Sequence, residues 1–526
     1  MDRASWFQTL SRRSCKGWTR GLGVLLRFPG NSDHAMNKHF SLITALLVCA
    51  GMLMGACLPA NTAASTTVTP EEPVLVVSAT PLPTRGPHSP GQIFEYLVQS
   101  GDTLPAIASH FNTTEDEIRA ENPDLPEAIT TLPSGYPLLV PAYYSPLTGS
   151  TFHILPDSEV VNGPSAVSFD IRSEVLKRTG FLTDLDTFAY KRQREAWQVV
   201  EIISLNYSIN PRLLLALLEH QSQALSLPFP DADERTYPMG VQDRSYRGLF
   251  WQLLWAAERI NDGYYGWRSG SLKEIELADG LIVQPDPWQN AGTVALYQFF
   301  AGLYGKEAFE AAVSPEGFYQ TYLALWGEPF AMEIDLIPAS LQQPELGLPF
   351  VPNSVWDFTG GPHPAWGTSL PFGALDFAPP SEESGCVQSK VWFTAPADGV
   401  IARSAEATVI LDLDGDGDER TGWVFFFFHV ATEGRIAEGV KVKKGDLLGF
   451  PSCEGGISTG THIHVARRYN GEWIPAAGTL AFVLDGWVAE YGGIPYEGTL
   501  TKGSKVVPAC KGCARAESQI IYTLPE

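Results

Sequence analysis

The chain has 526 residues, 44% of them hydrophobic and 18% charged, which is globular material for about three domains with cores of their own. Its formal net charge of −23 excludes a nucleic-acid partner as the working reading, since phosphate backbones are held by clustered Lys and Arg. At the N-terminus, "MNKHFSLITALLVCAGMLMGACLPA" from Met36 has one lysine, an apolar run and then small residues before Cys57, the pattern of an export signal. The run is shorter than the ~20 apolar residues of a membrane span. Residues 1–57 are therefore read as an export signal whose translation start is Met36.

The stretch "LMGAC" resembles the lipobox of bacterial lipoproteins, with Met54 where that family has Leu. The resemblance implies cleavage before Cys57 and a lipid on its sulfur. It predicts an exported protein, either anchored to a membrane through that lipid or secreted. Residues 58–92, rich in Thr, Pro, Ser and Ala, cannot bury enough apolar surface to fold. They are read as a tether that reaches ~115 Å at full stretch.

Residues 93–145 contain a short strand at Tyr96–Val98, a Gly-Asp-Thr-Leu turn, and a helix with Leu104, Ile107, Ala108 and Phe111 on one face. A second helix carries Ile118 and Asn122, and "YPLLVP" closes the unit. The order of these parts resembles a LysM domain, a small βααβ unit. The resemblance implies binding of N-acetylglucosamine chains, as in peptidoglycan, in a groove between two loops: Gly101, Asp102, Thr103 and Leu104 on one side, and Asn122, Pro123 and the residues up to Pro126 on the other.

Residues 160–345 read as mainly helical. "INPRLLLALLEHQS" starts a helix with Asn210 as cap and Pro211 in the first turn. With "RINDGYYGWRSG" and "NAGTVALYQFF" it distantly resembles the lysozyme-like fold of lytic transglycosylases. The general acid of that family would stand at Gln221, followed by Ser222, and an amide cannot protonate a glycosidic oxygen. Glu219 is about 200° away around the helix. The region is read as a non-catalytic spacer or second glycan-binding module, with glycan cleavage as the alternative.

In the last third, runs such as "GVIARSAEATVILDLD" and "GWVFFFFHVA" are rich in β-branched and aromatic residues and broken by turns. His363, Asp376, His429, His462 and His464 punctuate them. In a strand, His462 and His464 point to one face. Imidazoles and a carboxylate are the usual ligands of a catalytic zinc, which takes three protein groups and leaves a fourth position for water.

Over residues 346–485 these five groups resemble, in type and order, the lysostaphin-type zinc peptidases of bacterial cell walls. Phe372 stands where most of them have the first His, but the "GGPH" start and the wide gap to Asp376 are similar to the β-lytic branch. The resemblance implies one Zn2+ held by His363, Asp376 and His464. His429 and His462 would then flank the attacking water, with their division of labour left open.

The run from Asp412 through Asp414, Asp416 and Asp418 starts like a calcium loop, but its twelfth position is Trp423 instead of Glu. It is read as a solvated acidic hairpin, with bound Ca2+ as the alternative. Cys386, Cys453, Cys510 and Cys513 tend to pair in an exported protein. Cys386 with Cys453 would bridge the site, and "CKGC" is a weak zinc signal. Residues 486–526 are read as a C-terminal extension.

The expected whole is a multidomain α+β protein: a LysM domain, a mainly helical middle domain and an antiparallel, β-rich zinc peptidase domain. Its expected function is peptidoglycan endopeptidase, with an inactive wall-binding lipoprotein that activates another hydrolase as the rival.

Overall fold

The computed structural model describes residues 82–144, 149–513 and 515–522, all within one unit spanning Val77–Glu526. Met36, the lipidation candidate Cys57 and most of the expected tether lie outside the described residues. Among the described residues, no helix is long and apolar enough to cross a membrane.

The first folded part pairs β1 (Gln92–Leu97) antiparallel with β2 (Pro137–Ala142). Between them lie α1 (Leu104–Phe111) and α2 (Glu115–Glu121). Local chemistry sets both helix starts: the Thr103 side chain accepts from the Ala106 amide, and Thr114 with Glu117 forms a reciprocal capping box. The core gathers Tyr96, Leu104, Ile107, Phe111, Ile118, Leu138 and Val140.

The helical part is built on α3 (Ala196–Tyr207), α4 (Pro211–Ser222), α5 (Leu249–Arg268), α6 (Ala291–Ala301) and α7 (Phe318–Trp326). Asn210 caps α4 by accepting from the Arg212 amide. Gly263 lets α5 and α6 approach, because a Cβ there would lie 2.8 Å from Ala295 Cα. This part starts before residue 160, with Ile154 and Leu155 already in its core. The end of the expected tether belongs to the folded body too. Arg85 pairs with Asp286 at 2.9 Å and lies 3.6 Å over the Trp288 ring.

The last part is a nine-stranded sheet. Its central strands are β3 (Val355–His363), β4 (Ala374–Ala378), β5 (Gly399–Ala405), β6 (Thr408–Asp412), β7 (Trp423–Phe428) and β8 (Ile463–Tyr469), in spatial order β5-β6-β7-β8-β4-β3, with every pair antiparallel. Ile410, Val424, Phe426, Phe428 and Ala466 face the helices and share their core. Val409, Leu411, Phe425, Phe427 and Val465 build a second core on the opposite face.

Burial on both faces accounts for "WVFFFF", which lacks the polar alternation of a half-exposed strand. The expected C-terminal extension is integral to this part. Its strands β9 (Trp487–Tyr491), β10 (Gly498–Lys502) and β11 (Lys505–Pro508) form a meander, and β12 (Gln519–Ile521) pairs with β3. Trp487, Leu500 and Ile520 lie in the second core.

The three parts meet at Arg268. Its guanidinium donates to the Ser100 carbonyl of the first part, pairs with Asp157 at 2.9 Å and pairs with Glu472 of the sheet at 3.1 Å. A second buried cluster lies between helices and sheet, where Glu419 binds Arg403 at 2.5 Å and also Arg468.

Candidate metal centre

The strand register gathers the site. Asp376 on β4 stands opposite both Gly360 on β3 and His464 on β8, and His464 stands opposite Phe428 on β7. The β3–β4 register shifts between Gly360 and His363, and such an irregularity re-aims the side chain at a strand end. His462 lies just before β8. His429 follows β7 directly with φ of +61°, a left-handed conformation that costs a non-glycine residue free energy and needs surrounding structure to hold it.

Three donor atoms converge. His363 Nε2 lies 3.1 Å from His464 Nδ1 and 3.3 Å from Asp376 Oδ1, and His464 Nδ1 lies 3.4 Å from the same oxygen. A tetrahedral zinc with bonds of about 2.0–2.1 Å places its ligand atoms about 3.3 Å apart, so the spacing fits. Each of these imidazoles anchors its other nitrogen on a backbone carbonyl: His363 Nδ1 to Gly361 O at 2.9 Å, His464 Nε2 to Ala365 O at 2.9 Å. Those N–H donors fix the tautomers and leave lone pairs on the converging atoms. Asp376 Oδ1 is buried without a hydrogen-bond partner.

Burial alone would raise the Asp376 carboxyl, yet His363 and then His462 hold it well below the usual carboxylate range. Burial lowers His464, favouring the neutral ring that a metal requires.

The other two histidines line the open side. His462 Nδ1 faces Gly460 O at 2.8 Å and its Nε2 is 3.6 Å from Asp376 Oδ1. His429 Nδ1 faces Glu454 O at 2.8 Å, and the two rings are 4.6 Å apart. Burial, followed by the neighbouring His462, pushes His429 down to about 3.

Tyr496, which sequence reasoning missed, and Gly360, the first residue of the "GGPH" start, complete the surroundings. Tyr496, from the region read as an extension, stacks on His363 with centroids 4.2 Å apart; nothing in "GGIPYEG" signals it. Gly360 leaves room for the Asp376 carboxylate, since a Cβ there would meet Oδ2 at 2.6 Å. Phe372 lies away from the group, with its ring against Tyr491 at 5.4 Å.

The remaining candidates are dispersed. Cys386 is bonded to Cys453, and Cys510 to Cys513, so the "CKGC" thiols are unavailable as zinc ligands. Asp412, Asp414 and Asp416 lie together, but their carboxylates accept amides within the loop, and Asp418 pairs with Arg420 at 2.7 Å. Self-satisfied Asx turns carry no argument for calcium. Glu219 accepts from the Leu225 amide and the Ser226 hydroxyl, and Gln221 accepts from Tyr304 at 2.8 Å.

In the first part, several glycan candidates are used internally. Asp102 Oδ2 accepts from Tyr96 at 2.6 Å and from the Gln99 amide at 2.8 Å, Thr103 caps α1, and Leu104 is core. Asn122 donates to Ile118 O and Leu139 O, both at 2.7 Å. Pro123 and Pro126 on the second loop are exposed.

Fold and site together define a small βααβ domain joined through a helical region to a β-rich domain that carries a candidate metal centre, within an α+β protein. The LysM domain family model matches residues 96–141, and the model "LasA, N-terminal domain" matches residues 153–339. The chain is 26% identical over 339 residues to "Protease LasA" of Pseudomonas aeruginosa, which covers 56% of this chain and 75% of that protein.

Among solved structures, it resembles the M23 metalloprotease pseudoalterin from the deep sea at 22% identity and TM-score 0.28, covering 33% of this chain and 99% of that one. It also resembles the catalytic domain of lysostaphin from Staphylococcus simulans at 19% identity and TM-score 0.17, covering 24% of this chain and 90% of that one.

Proposed function

We propose that the protein is an exported, zinc-dependent endopeptidase that hydrolyses peptide bonds of peptidoglycan. The observation that carries the proposal is the convergence of His363 Nε2, Asp376 Oδ1 and His464 Nδ1 at zinc-ligand spacing, with both ring tautomers fixed by backbone carbonyls. Similarity to a protein named a protease supports it, and the LysM domain points to the wall glycan as the surface that holds the enzyme.

When bound, the metal supplies Lewis acidity and lowers the pKa of water toward ~7. The chain's own task is proton handling. His429 and His462 both spend Nδ1–H on the backbone, so each offers Nε2 to accept a proton from water as it attacks the peptide carbonyl. The resulting imidazolium stabilises negative charge on that oxygen and then returns the proton to the departing amine nitrogen, giving a carboxylate and an amine end. Attachment through lipid at Cys57 belongs to this proposal as the means of retention at the envelope.

Paired variants test the assignment. His464→Ala should lose both zinc and activity, because two ligands hold the ion poorly. His462→Ala should keep near-stoichiometric zinc while turnover falls about 100-fold or more. Metal analysis and the release of amine ends from purified walls read both. Zinc lost from His462→Ala but kept by His464→Ala would exchange the roles; wild-type protein that carries zinc but releases no ends would leave a binding scaffold instead.

A further inference from the structure

The two loops that flank the expected glycan groove both bind a piece of this chain. Residues 336–341, "LIPASL", lead from the helical part toward the sheet and bond to Ser100, just before Gly101, and to Thr130 and Thr131, which follow Pro126 in the loop between α2 and β2. On one lip, the Ile337 amide donates to Ser100 Oγ at 3.0 Å, and that hydroxyl lies 3.2 Å from Ile337 O. On the other, Thr131 Oγ1 donates to Pro338 O at 2.7 Å and accepts from the Leu341 amide at 3.0 Å, while Thr130 Oγ1 donates to Leu341 O at 2.7 Å.

The Ser340 amide adds a bond to the Thr131 carbonyl at 2.9 Å. The lips are themselves linked, Leu132 N to Asp102 O at 3.0 Å. Ile337 and Leu341 are buried beneath this ladder.

We infer that residues 336–341 are an intramolecular occupant of the LysM groove, competing there with N-acetylated glycan, so that wall binding requires their release. This rests on the reading that the LysM domain binds N-acetylglucosamine chains. The chemistry of competition is direct. A peptide group and an N-acetyl group present the same C=O and N–H pair, and Ser100, Thr130 and Thr131 already spend their hydroxyls on the peptide version. Glycan gains those hydroxyls only as the segment leaves, which lowers its apparent affinity by the fraction of open groove.

The occupant is also poised to leave. Ser340 sits at φ of +51°, a left-handed conformation unfavourable for a side chain, and its own side chain is exposed. The segment continues into Gln343, which bonds to Val483 and Arg467 of the peptidase part, so release would slacken the connection between wall-binding and cutting parts.

The test uses the full chain with an N-acetylglucosamine pentamer as the probe. Ser340→Pro forbids φ of +51° and deletes the amide that bonds Thr131, so it should tighten binding by about 10-fold or more. Ser340→Gly suits the left-handed position and should bind no more tightly than wild type. In wild type, saturating pentamer should speed hydrogen exchange at the Ser340 and Leu341 amides and spare the Leu132 amide. This second readout decides the matter if Ser340→Pro fails to fold, as judged by its zinc content.

Equal, measurable binding by all three proteins with unchanged exchange would overturn the competition and leave the glycan reading intact. No binding by any of them would remove the glycan reading, and the competition with it.

Discussion

Gly360→Ala tests whether the strand register sets the metal centre. The added Cβ would stand 2.6 Å from Asp376 Oδ2, 2.9 Å from its Cβ and 3.0 Å from its Cγ. Because the close atoms include Cβ, rotation of the carboxylate cannot relieve the clash; the β4 backbone or the whole side chain must retreat. Ordinary contact begins near 3.4 Å, so the retreat is about 0.8 Å, against a tolerance of roughly 0.2 Å in zinc–ligand distances.

Displacing a ligand's support by this much should lower zinc affinity about 10- to 100-fold, or about 1.4–2.7 kcal/mol. Competition with a chromophoric chelator measures the affinity, and wall hydrolysis at limiting zinc should fall in step. A Gly360→Ala protein that binds zinc like wild type would refute the reasoning, since Asp376 would then not be held where the register puts it.

Two further outcomes follow from groups away from the ligands. Burial raises Asp102 from 3.8 to about 6, so the folded LysM domain binds that proton more tightly than the unfolded chain does. Its contribution, about 3 kcal/mol, is complete below pH 3.8 and is lost as pH climbs through about 6. Protection of the Leu132 amide, its exchange rate taken relative to the intrinsic rate at each pH, should fall over that window, and Asp102→Asn should flatten the profile.

The Cys386–Cys453 bridge closes a loop of sequence separation 67, worth about 4 kcal/mol in chain entropy. It also steadies the segment whose Glu454 and Gly460 carbonyls orient His429 and His462. A Cys386→Ser/Cys453→Ser double variant should melt earlier and turn over about 10-fold more slowly while keeping its zinc. Wild-type turnover in the double variant would detach the bridge from the function of those two rings.

Legibility followed the range of the interactions. The first LysM helix was readable because Leu104, Ile107, Ala108 and Phe111 recur on one face within eight residues, and all four are buried. The five polar groups of the site could be picked out by type and order, although only strand pairing brings His363 and His464 within 3.1 Å across 101 positions. The position of Tyr496 depends on a meander packing back onto β3, which leaves no periodic trace.

The unbroken apolar run Trp423–Phe428 did carry information about two covered faces. Its composition announces burial without naming the cover, and the cover proved to be the helical region. The packing of Arg85 on Trp288 was hidden in a Pro- and Thr-rich stretch for the same reason: its partner lies about two hundred residues away.

A domain of some fifty residues invites treatment as a portable cassette, and Arg268 argues against it here. Lifting out the LysM part would take the Ser100 carbonyl from a buried guanidinium that also spans Asp157 and Glu472. Cutting away the sheet would strip the same cation of one of its two carboxylates. A chimaera carrying a foreign LysM in this place would therefore inherit a polar wound at the junction. Successful transplants should be those that carry the 100–101 turn along with the graft.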